Sequence, residues 1–238
     1  MEKELLENYV VLDFEMTGLR AKTDRILEVG AARVKQGKIE ETFSALISQP
    51  KPLPQKIVEL TGITDEMAEG GRELDEVMEE FLTFLGNDVL VGQNIIFDYS
   101  FLKQWEVNHK YHIERSAVDT LKLARKFLPE EEKKDLESLC RYFNVERKLA
   151  HRALDDAIET AQIMECLKKC YYVGNEEAFE PKLLQYKAKK QSPATLHQIR
   201  FLMEYAQQKQ IELPAGVESM TKSEASRLTD QLIAQYGR

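Results

Sequence analysis

The sequence predicts an α/β domain followed by a small helical module, and three observations support this fold class. Apolar, β-branched segments over 9–15, 25–35 and 39–48 indicate three early strands. The second and third of these strands are joined by a Gly-containing turn at 36–38. Another short apolar strand is predicted over 88–92, and most of the later chain has apolar residues at helical spacing.

Helices account for most of the remaining pattern. Helical spacing of apolar residues is found over 74–85, 97–107, 118–127, 135–143 and 153–170. The last of these segments ends in Lys168 and Lys169, which suit the C-terminus of a helix because of its partial negative charge. Strands followed by several helices favour a central sheet covered by helices.

We divide the chain into a main domain over 1–175, a basic linker over 176–192 and a helical module over 193–238. The linker is predicted because this stretch is polar, rich in lysine and contains a proline. The module has two amphipathic patterns, and Ser223 is the expected N-cap of the second one. It is too short to bury much apolar surface, so we expect it to lie against a neighbour.

The composition excludes several classes of protein. The 238 residues are 43% hydrophobic and 31% charged, which suits a folded domain rather than a disordered chain. No apolar stretch reaches the roughly 18–20 residues of a membrane span. The first eight residues lack the apolar core of a signal peptide, and three cysteines are too few for a disulfide scaffold. We therefore expect a cytoplasmic protein without a membrane partner.

Charge is distributed unevenly along the chain. The formal net charge is −8, yet residues 176–238 contain nine Lys and Arg and eight Asp and Glu. The acidic excess therefore lies in the first 175 residues, and it argues against a non-specific polyanion binder. Two interpretations remain open. The acids of the first 175 residues could gather around cations while the basic tail holds a polyanion, or the acids could simply form a solvated surface.

The most informative residues are acids within apolar segments. Asp13 and Glu15 end the first predicted strand, and the period of two places them on one face of it. Two like charges there repel each other and lose hydration, costs that a bound dication would offset. The alternative is a strand end whose acids reach solvent.

A second acid, Asp98, follows the fourth predicted strand and is surrounded by large apolar residues. It could cap a helix, a position that Asp favours, or it could face the same site as the first two acids.

The third acidic position lies at the start of the last helix of the main domain. Helical periodicity places Asp156 on the inward side, whereas Asp155 shares a face with Glu159 and is expected to meet solvent. A buried aspartate needs a partner, and a metal ion is a natural one. His151 precedes the helix and could lean over the same place, although a single histidine is more often structural.

Together these residues resemble the three exonuclease motifs of the DnaQ-like family, in its DEDDh subgroup. The motifs read VLDFEMTGL over 11–19 followed by DRILEVG over 24–30, GQNIIFDYSFL over 92–102, and HRALDDA over 151–157. Shorter family-like stretches are LTGITD over 60–65 and VDTL over 118–121. Each motif alone is a weak signal, whereas all three in order are specific.

The resemblance implies an RNase H-like fold for the main domain. It further implies that Asp13, Glu15, Asp98 and Asp156 bind two divalent cations, Mg²⁺ or Mn²⁺, and that His151 is the general base. Paired cations can stabilise the attacking and leaving oxygens of a phosphodiester, and an imidazole can accept a proton from water near neutral pH. The implied activity is a 3′→5′ exonuclease that releases nucleoside 5′-monophosphates, with DNA preferred over RNA as the nucleic-acid partner.

The resemblance also indicates where the 3′ end would bind. Met16, Thr17, Thr61 and Phe97 fall where the family holds the terminal nucleotides, although Met16 and Thr61 differ from the residues that relatives often carry there. Met16 and Phe97 would pack on a base or sugar, and ordinary core packing is the alternative. Asp119, also family-like, is interpreted as structural.

Two other functions remain open at this point. The same family includes RNA trimmers, so an exoribonuclease is one alternative, and a non-catalytic nucleic-acid-binding subunit is another. The complete set of acids and histidine weighs against the second. A polymerase or another DNA-processing protein is a possible partner by analogy. The helical module would hold single-stranded nucleic acid, dock a partner or remain a solvated tail.

Overall fold

The structure is a computed structural model that describes residues 5–109, 111–147, 151–190, 192–214 and 216–237. Its strands are β1 (Tyr9–Met16), β2 (Ile26–Lys35), β3 (Lys38–Leu46), β4 (Leu90–Gly92), β5 (Ser116–Asp119) and β6 (Lys182–Leu183). Its helices are α1 (Gln55–Thr61), α2 (Asp65–Glu69), α3 (Leu74–Leu85), α4 (Ile96–His109), α5 (Thr120–Phe127), α6 (Leu136–Phe143), α7 (Ala153–Tyr171), α8 (Leu196–Lys209) and α9 (Lys222–Tyr236).

The strands form one mixed sheet in the order β3-β2-β1-β4-β5-β6. β1 pairs antiparallel with β2 and parallel with β4, while β4 and β5 are parallel and β6 is antiparallel to β5. β1 and β4 therefore point the same way and end at the same edge. The predicted α/β, RNase H-like class, a mixed sheet flanked by helices, is confirmed.

The β2–β3 hairpin shows how the local sequence sets the sheet. Gln36 and Gly37, the two residues between the strands, have φ angles of 49° and 73°. Positive φ at both central positions is the signature of a type I′ turn, whose twist matches that of the paired strands. The turn expected at 36–38 thus forms as the sequence indicates.

The two faces of β1 pack on different helices because its side chains alternate. Val10, Leu12 and Phe14 belong to the core shared with α3 and α4. Tyr9 and Val11 belong to the core shared with α5, α6 and α7. Residues of odd number in β1 consequently face α7.

Gly30 allows α7 to begin directly against the sheet. A Cβ added at this position of β2 would lie 2.1 Å from the Ala153 carbonyl carbon, which is closer than any side chain can approach. The absence of a side chain thus brings the first turn of α7 against β2, opposite the end of β1.

Some elements differ from the sequence prediction. The helix expected over 118–127 begins only at Thr120, because Ser116–Asp119 forms β5 and the Asp119 side chain caps α5. The short helices α1 and α2 follow the proline-rich loop without having been expected. Within 176–192, where a linker is predicted, Lys182–Leu183 adds β6 to the sheet. No helix of the described ranges is long and apolar enough to cross a bilayer.

α8 and α9 pack on each other around a small core that includes Leu202, Tyr205 and Leu232. Both helices begin with a capping box, Thr195 with Gln198 in α8 and Thr221 with Glu224 in α9. The expected cap at Ser223 is wrong, because Thr221 lies two residues earlier and its side chain accepts from the backbone of α9.

Candidate active site

The site begins at the end of β1. Asp13 and Glu15 continue the odd-numbered row of this strand and so face α7. Glu15 is 8% exposed. The β1–β2 register places Glu15 directly opposite Glu28. The expected placement of both acids on one strand face is therefore seen in the structure.

Asp98 joins these acids from the first turn of α4. Its carboxylate accepts a hydrogen bond of 2.9 Å from the backbone N–H of Phe14, the residue between Asp13 and Glu15. Asp98 is 4% exposed and lies within the first turn of α4, which begins at Ile96, so it is not the N-cap residue that the alternative described. The bond fixes the start of α4 to the C-terminal end of β1.

Asp119 holds the loop that leads into α4. Its Oδ1 accepts from the Asn94 N–H at 3.1 Å and from the Leu121 N–H at 3.0 Å. Asn94 has a φ of 63°, a left-handed conformation that asparagine tolerates better than most residues. These contacts agree with the structural role expected for Asp119.

Asp156 and His151 come from the start of α7. Asp156 is 7% exposed. The His151 backbone donates a hydrogen bond to the Asp156 side chain, and His151 has a φ of 61°. Potential ligand atoms of Glu15, His151 and Asp156 lie within 4.8 Å of one another. All three motifs therefore converge at one place.

Burial and mutual repulsion raise the pKa values of the acids. Desolvation followed by the charge of Asp156 raises the pKa of Glu15 to about 8. Desolvation raises the pKa of Asp98 to about 7 even though backbone hydrogen bonds favour its charged form. The pKa of Asp13 is raised well above its usual range by burial and then by Asp98, Asp156 and Glu15, and burial also raises the pKa of Asp156.

This electrostatic state fits a site for hard divalent cations. Among the described residues, no ion pair is found for Asp13, Glu15 or Asp98, whereas Asp156 pairs with Arg147 at 2.7 Å. Carboxylate oxygens are the ligands that Mg²⁺ and similar cations prefer. A cation placed between these acids would offset both their desolvation and their repulsion.

The sequence reasoning gave no role to Glu28, which anchors α7. Its carboxylate accepts from Arg152 at 2.6 and 3.1 Å and from the Ala153 N–H at 3.0 Å. It is 1% exposed. The position of Glu28 between Leu27 and Val29 in an apolar strand could have indicated a buried acid. The sequence does not show which basic residue pairs with it.

Glu159 differs from its expected position on the solvent side of α7. It is 3% exposed and lies 2.8 Å from Arg147, which also contacts Asp156. Arg147 lies outside α7, and a helical pattern alone cannot reveal such a contact. Arg147 therefore links a site carboxylate to a structural one.

The four residues expected to hold the substrate differ in accessibility. Phe97 is 36% exposed beside Asp98, and Met16 is half-buried against the core. The Thr17 hydroxyl accepts from the Arg25 N–H at 2.9 Å. Thr61 is buried, and its hydroxyl donates to the Ile57 carbonyl and accepts from the Ile63 N–H. These contacts favour a structural role for Thr61.

Comparison with known proteins places the same region in a group of nucleases. Residues 10–164 match the model of the exonuclease (RNase T) family. The chain is 37% identical over 164 residues to the PolC-type DNA polymerase III of Clostridium perfringens, a match that covers 69% of this chain and 11% of the polymerase. The corresponding protein of Thermotoga maritima is 40% identical over 166 residues, covering 68% and 12%. The chain thus spans only about a tenth of these relatives.

Solved structures with this fold include two exonucleases bound to DNA. Exonuclease X in complex with 5′ overhanging duplex DNA has a TM-score of 0.58 and 24% identity, covering 72% of this chain and 97% of that one. E. coli exonuclease I in complex with a dT13 oligonucleotide has a TM-score of 0.63 and 20% identity, covering 72% and 43%. At these identities the likeness concerns the fold.

Proposed function

This chain belongs to the exonuclease (RNase T) family, as its three motifs indicated, and we propose that it is a metal-dependent 3′→5′ exonuclease of single-stranded DNA. The observation that carries the proposal is the convergence of Asp13, Glu15, Asp98 and Asp156 beside His151. Acids that raise one another's pKa destabilise the fold, so an arrangement that gathers them is better suited to binding cations than to packing.

The acids would hold two divalent cations, Mg²⁺ or Mn²⁺. When bound, such cations supply Lewis-acid stabilisation of the phosphate oxygens and lower the pKa of a water molecule. The contribution of the chain itself is the fixed placement of the four carboxylates. Asp98 is held by the backbone of β1, and Asp156 by the backbone of His151 and by Arg147.

His151 would accept the proton of the attacking water. Its imidazole lies beside Glu15 and Asp156 and is half-buried, so it can reach a water molecule at the site. An imidazole nitrogen within hydrogen-bond reach of a water molecule can accept its proton. The proton would go to one ring nitrogen and then to solvent.

Phe97 is the best-placed of the expected substrate contacts because its ring is partly exposed beside Asp98. Aromatic stacking on a base tolerates any sequence, which suits an enzyme that removes nucleotides one after another. Met16 and Thr17 would complete the contact with the terminal nucleotide. We propose DNA rather than RNA as the substrate because the similar proteins are named as DNA polymerases. The same similarity favours a polymerase as a protein partner.

The test is a degradation assay with 5′-labelled single-stranded DNA, duplex DNA and RNA of matched sequence. With Mg²⁺ or Mn²⁺ we expect a ladder that shortens from the 3′ end, fastest on single-stranded DNA, and no ladder in EDTA. Asp156→Asn should slow degradation about a thousandfold, because it removes a charged ligand of the cations. A thousandfold loss corresponds to roughly 4 kcal/mol of transition-state stabilisation.

Asp155→Asn is the matched control. It makes the same chemical change one residue away on α7, at a half-buried position outside the acid cluster. We expect its rate to stay within about threefold of the wild type. Equal rates for wild type and Asp156→Asn would contradict the mechanism, and a fastest ladder on RNA would assign the enzyme to RNA trimming. Binding without degradation in metal would instead favour a non-catalytic subunit.

A further inference from the structure

A groove of about 540 Å³ lies beside the candidate active site. One wall is residues 19–23, the loop that follows β1 and its two acids. A second wall is the start of α4, where Ile96 and Phe97 directly precede Asp98. The groove is therefore lined by the loop that follows Asp13 and Glu15 in the chain and by the residues on either side of Asp98.

The far wall comes from outside the region that matches the family. Tyr186 belongs to the segment after β6, and Arg227 belongs to α9 of the helical module. The family match covers residues 10–164, so this wall lies outside it.

The segment that carries Tyr186 is fixed at both ends. On one side β6 pairs with β5, and the Leu184 N–H donates to the Arg115 carbonyl at 2.9 Å. On the other side the Gln104 amide of α4 donates to the Lys189 carbonyl at 3.0 Å. Tyr186 is thus held over the groove by the main domain itself, and its ring is 37% exposed.

The charge of the groove is of one sign. Its charged lining residues are Arg20, Lys22 and Arg227, and none of its described lining residues is acidic. This is unusual in a chain whose net charge is −8. The neighbouring cavity on the other side of residues 21–25 is lined by Asp24, Glu73 and Glu224 as well as by basic groups, so it offers no such field.

Apolar side chains accompany the positive charges. Leu19 is 70% exposed and Phe97 36%, and both line the groove together with Tyr186. Exposed aromatic rings for stacking and cations for phosphates are the two features by which proteins hold single-stranded nucleic acid without sequence preference.

We propose that this groove holds the single-stranded DNA on the 5′ side of the nucleotide at the active site. Tyr186 stacks on a base, and Arg20 and Arg227 contact phosphates. The inference rests on the proposed 3′→5′ exonuclease function, because that function places the 3′ end at the active site and the 5′ side of the strand in the groove. It gives the helical module a role: α9 completes a track that the exonuclease domain begins.

Binding by the full chain tests the proposal, with Asp156→Asn present in every protein so that the DNA stays intact. Anisotropy of 5′-labelled oligothymidylates would compare strands of about 12 and about 3 nucleotides, since only the longer one extends beyond the active site. Tyr186→Ala should weaken binding of the long strand about tenfold, within the range found for a lost base–aromatic contact, and leave the short one unchanged.

Arg227→Ala should also act on the long strand alone. It should reduce the slope of log K against log salt by about 0.7, the value for one phosphate contact on a single strand, and Arg227→Lys should restore most of it. The matched controls are Arg200→Ala and Tyr236→Ala, which remove exposed side chains of the same module that do not line the groove. We expect both to bind like the parent protein.

The outcomes separate this proposal from the proposed function. Unchanged binding of the long strand, or an equal loss for both lengths, would overturn the groove as the upstream track. Length-dependent losses in a protein whose wild type degrades no DNA would support the track while rejecting the exonuclease activity. Degradation that is unaffected by either groove variant on any length of strand would support the activity and reject the track.

Discussion

Glu15 and Glu28 face each other across the β1–β2 pair, yet only Glu28 has hydrogen-bond partners among the described residues. Glu28 is bonded to the Arg152 guanidinium and to a backbone N–H of α7. Glu15 has no hydrogen bond or ion pair from the described residues. Burial and then the charges of neighbouring acids raise its pKa to about 8, and the charge of Arg152 offsets only part of this rise. Both carboxylates are nearly inaccessible to solvent.

The difference shows that burial alone does not identify a functional acid. A buried carboxylate with a cation and an N–H beside it holds elements together, as Glu28 holds α7 against β2. A buried carboxylate surrounded by other carboxylates lowers the stability of the fold until something of opposite charge binds. Compensation within the chain therefore separates Glu28 from Glu15, whereas Asp156 of the candidate site is itself paired with Arg147.

The largest expected effect is on activity. Glu15→Gln should lower kcat about a thousandfold while the protein stays folded, because it removes a charge that the cations need. Glu28→Gln should lower kcat far less, by about tenfold, since Glu28 acts through the position of α7. The measurement is single-turnover degradation of 5′-labelled DNA at saturating Mg²⁺. Similar losses in both variants would erase the distinction between the two acids.

For the free energy of unfolding, Glu28→Gln should be the more damaging of the two variants. Glu28→Gln leaves the Arg152 guanidinium without its partner and weakens the contact with Ala153, so the free energy of unfolding should fall by about 2 kcal/mol. Because Arg152 is 31% exposed, the loss should lie below that of a fully buried pair. Urea unfolding in EDTA measures this. An Arg152→Gln variant provides the second arm of a double-mutant cycle, and independent effects would contradict the coupling.

The sequence predicts the site better than it predicts these anchors. The four acids stand out because strand alternation and helical periodicity turn them inward, and the resemblance orders them. Glu159 was expected on the solvent side of α7, yet it is buried and paired with Arg147, which lies outside that helix. Local sequence patterns do not show which distant basic residue pairs with a buried acid. The partners of Glu28 and Glu159 can therefore be identified only from the three-dimensional structure. The short strand β6 was missed for the same reason, since its two residues pair only with a distant edge.

The metal-free protein should become less stable as the pH rises, because acids of the candidate site have raised pKa values. Glu15 and Asp98 have folded-state pKa values of about 8 and about 7, above their ordinary values of 4.5 and 3.8. The folded state therefore binds more protons than the unfolded state between these values, so stability falls as the pH rises from about 4.5 to about 8 and levels off above that. Between pH 5 and pH 8 in EDTA we expect a loss of several kcal/mol, up to about 6, at about 1.36 kcal/mol per pKa unit.

Saturating Mg²⁺ should flatten this dependence, because the carboxylates are then ionised in the folded state as well. Glu15→Gln should flatten part of it even in EDTA, and it should be more stable than the wild type at pH 8. Urea unfolding at several pH values, with and without Mg²⁺, provides the data. Identical pH profiles with and without the cation would mean that these acids do not bind it.

The smallest effect separates Thr61 from Phe97. The Thr61 hydroxyl is already bonded to the Ile57 carbonyl and the Ile63 N–H, which makes it, like Glu28, a polar group compensated within the chain. Thr61→Val should therefore cost about 1 kcal/mol of stability and leave kcat/KM within about twofold. Phe97→Ala should do the reverse, because its ring is 36% exposed beside Asp98: kcat/KM should fall about tenfold, with stability nearly unchanged. A loss of kcat/KM in Thr61→Val that matches Phe97→Ala would return Thr61 to the substrate contacts. It would also show that a hydroxyl satisfied by its own backbone can still act on a ligand.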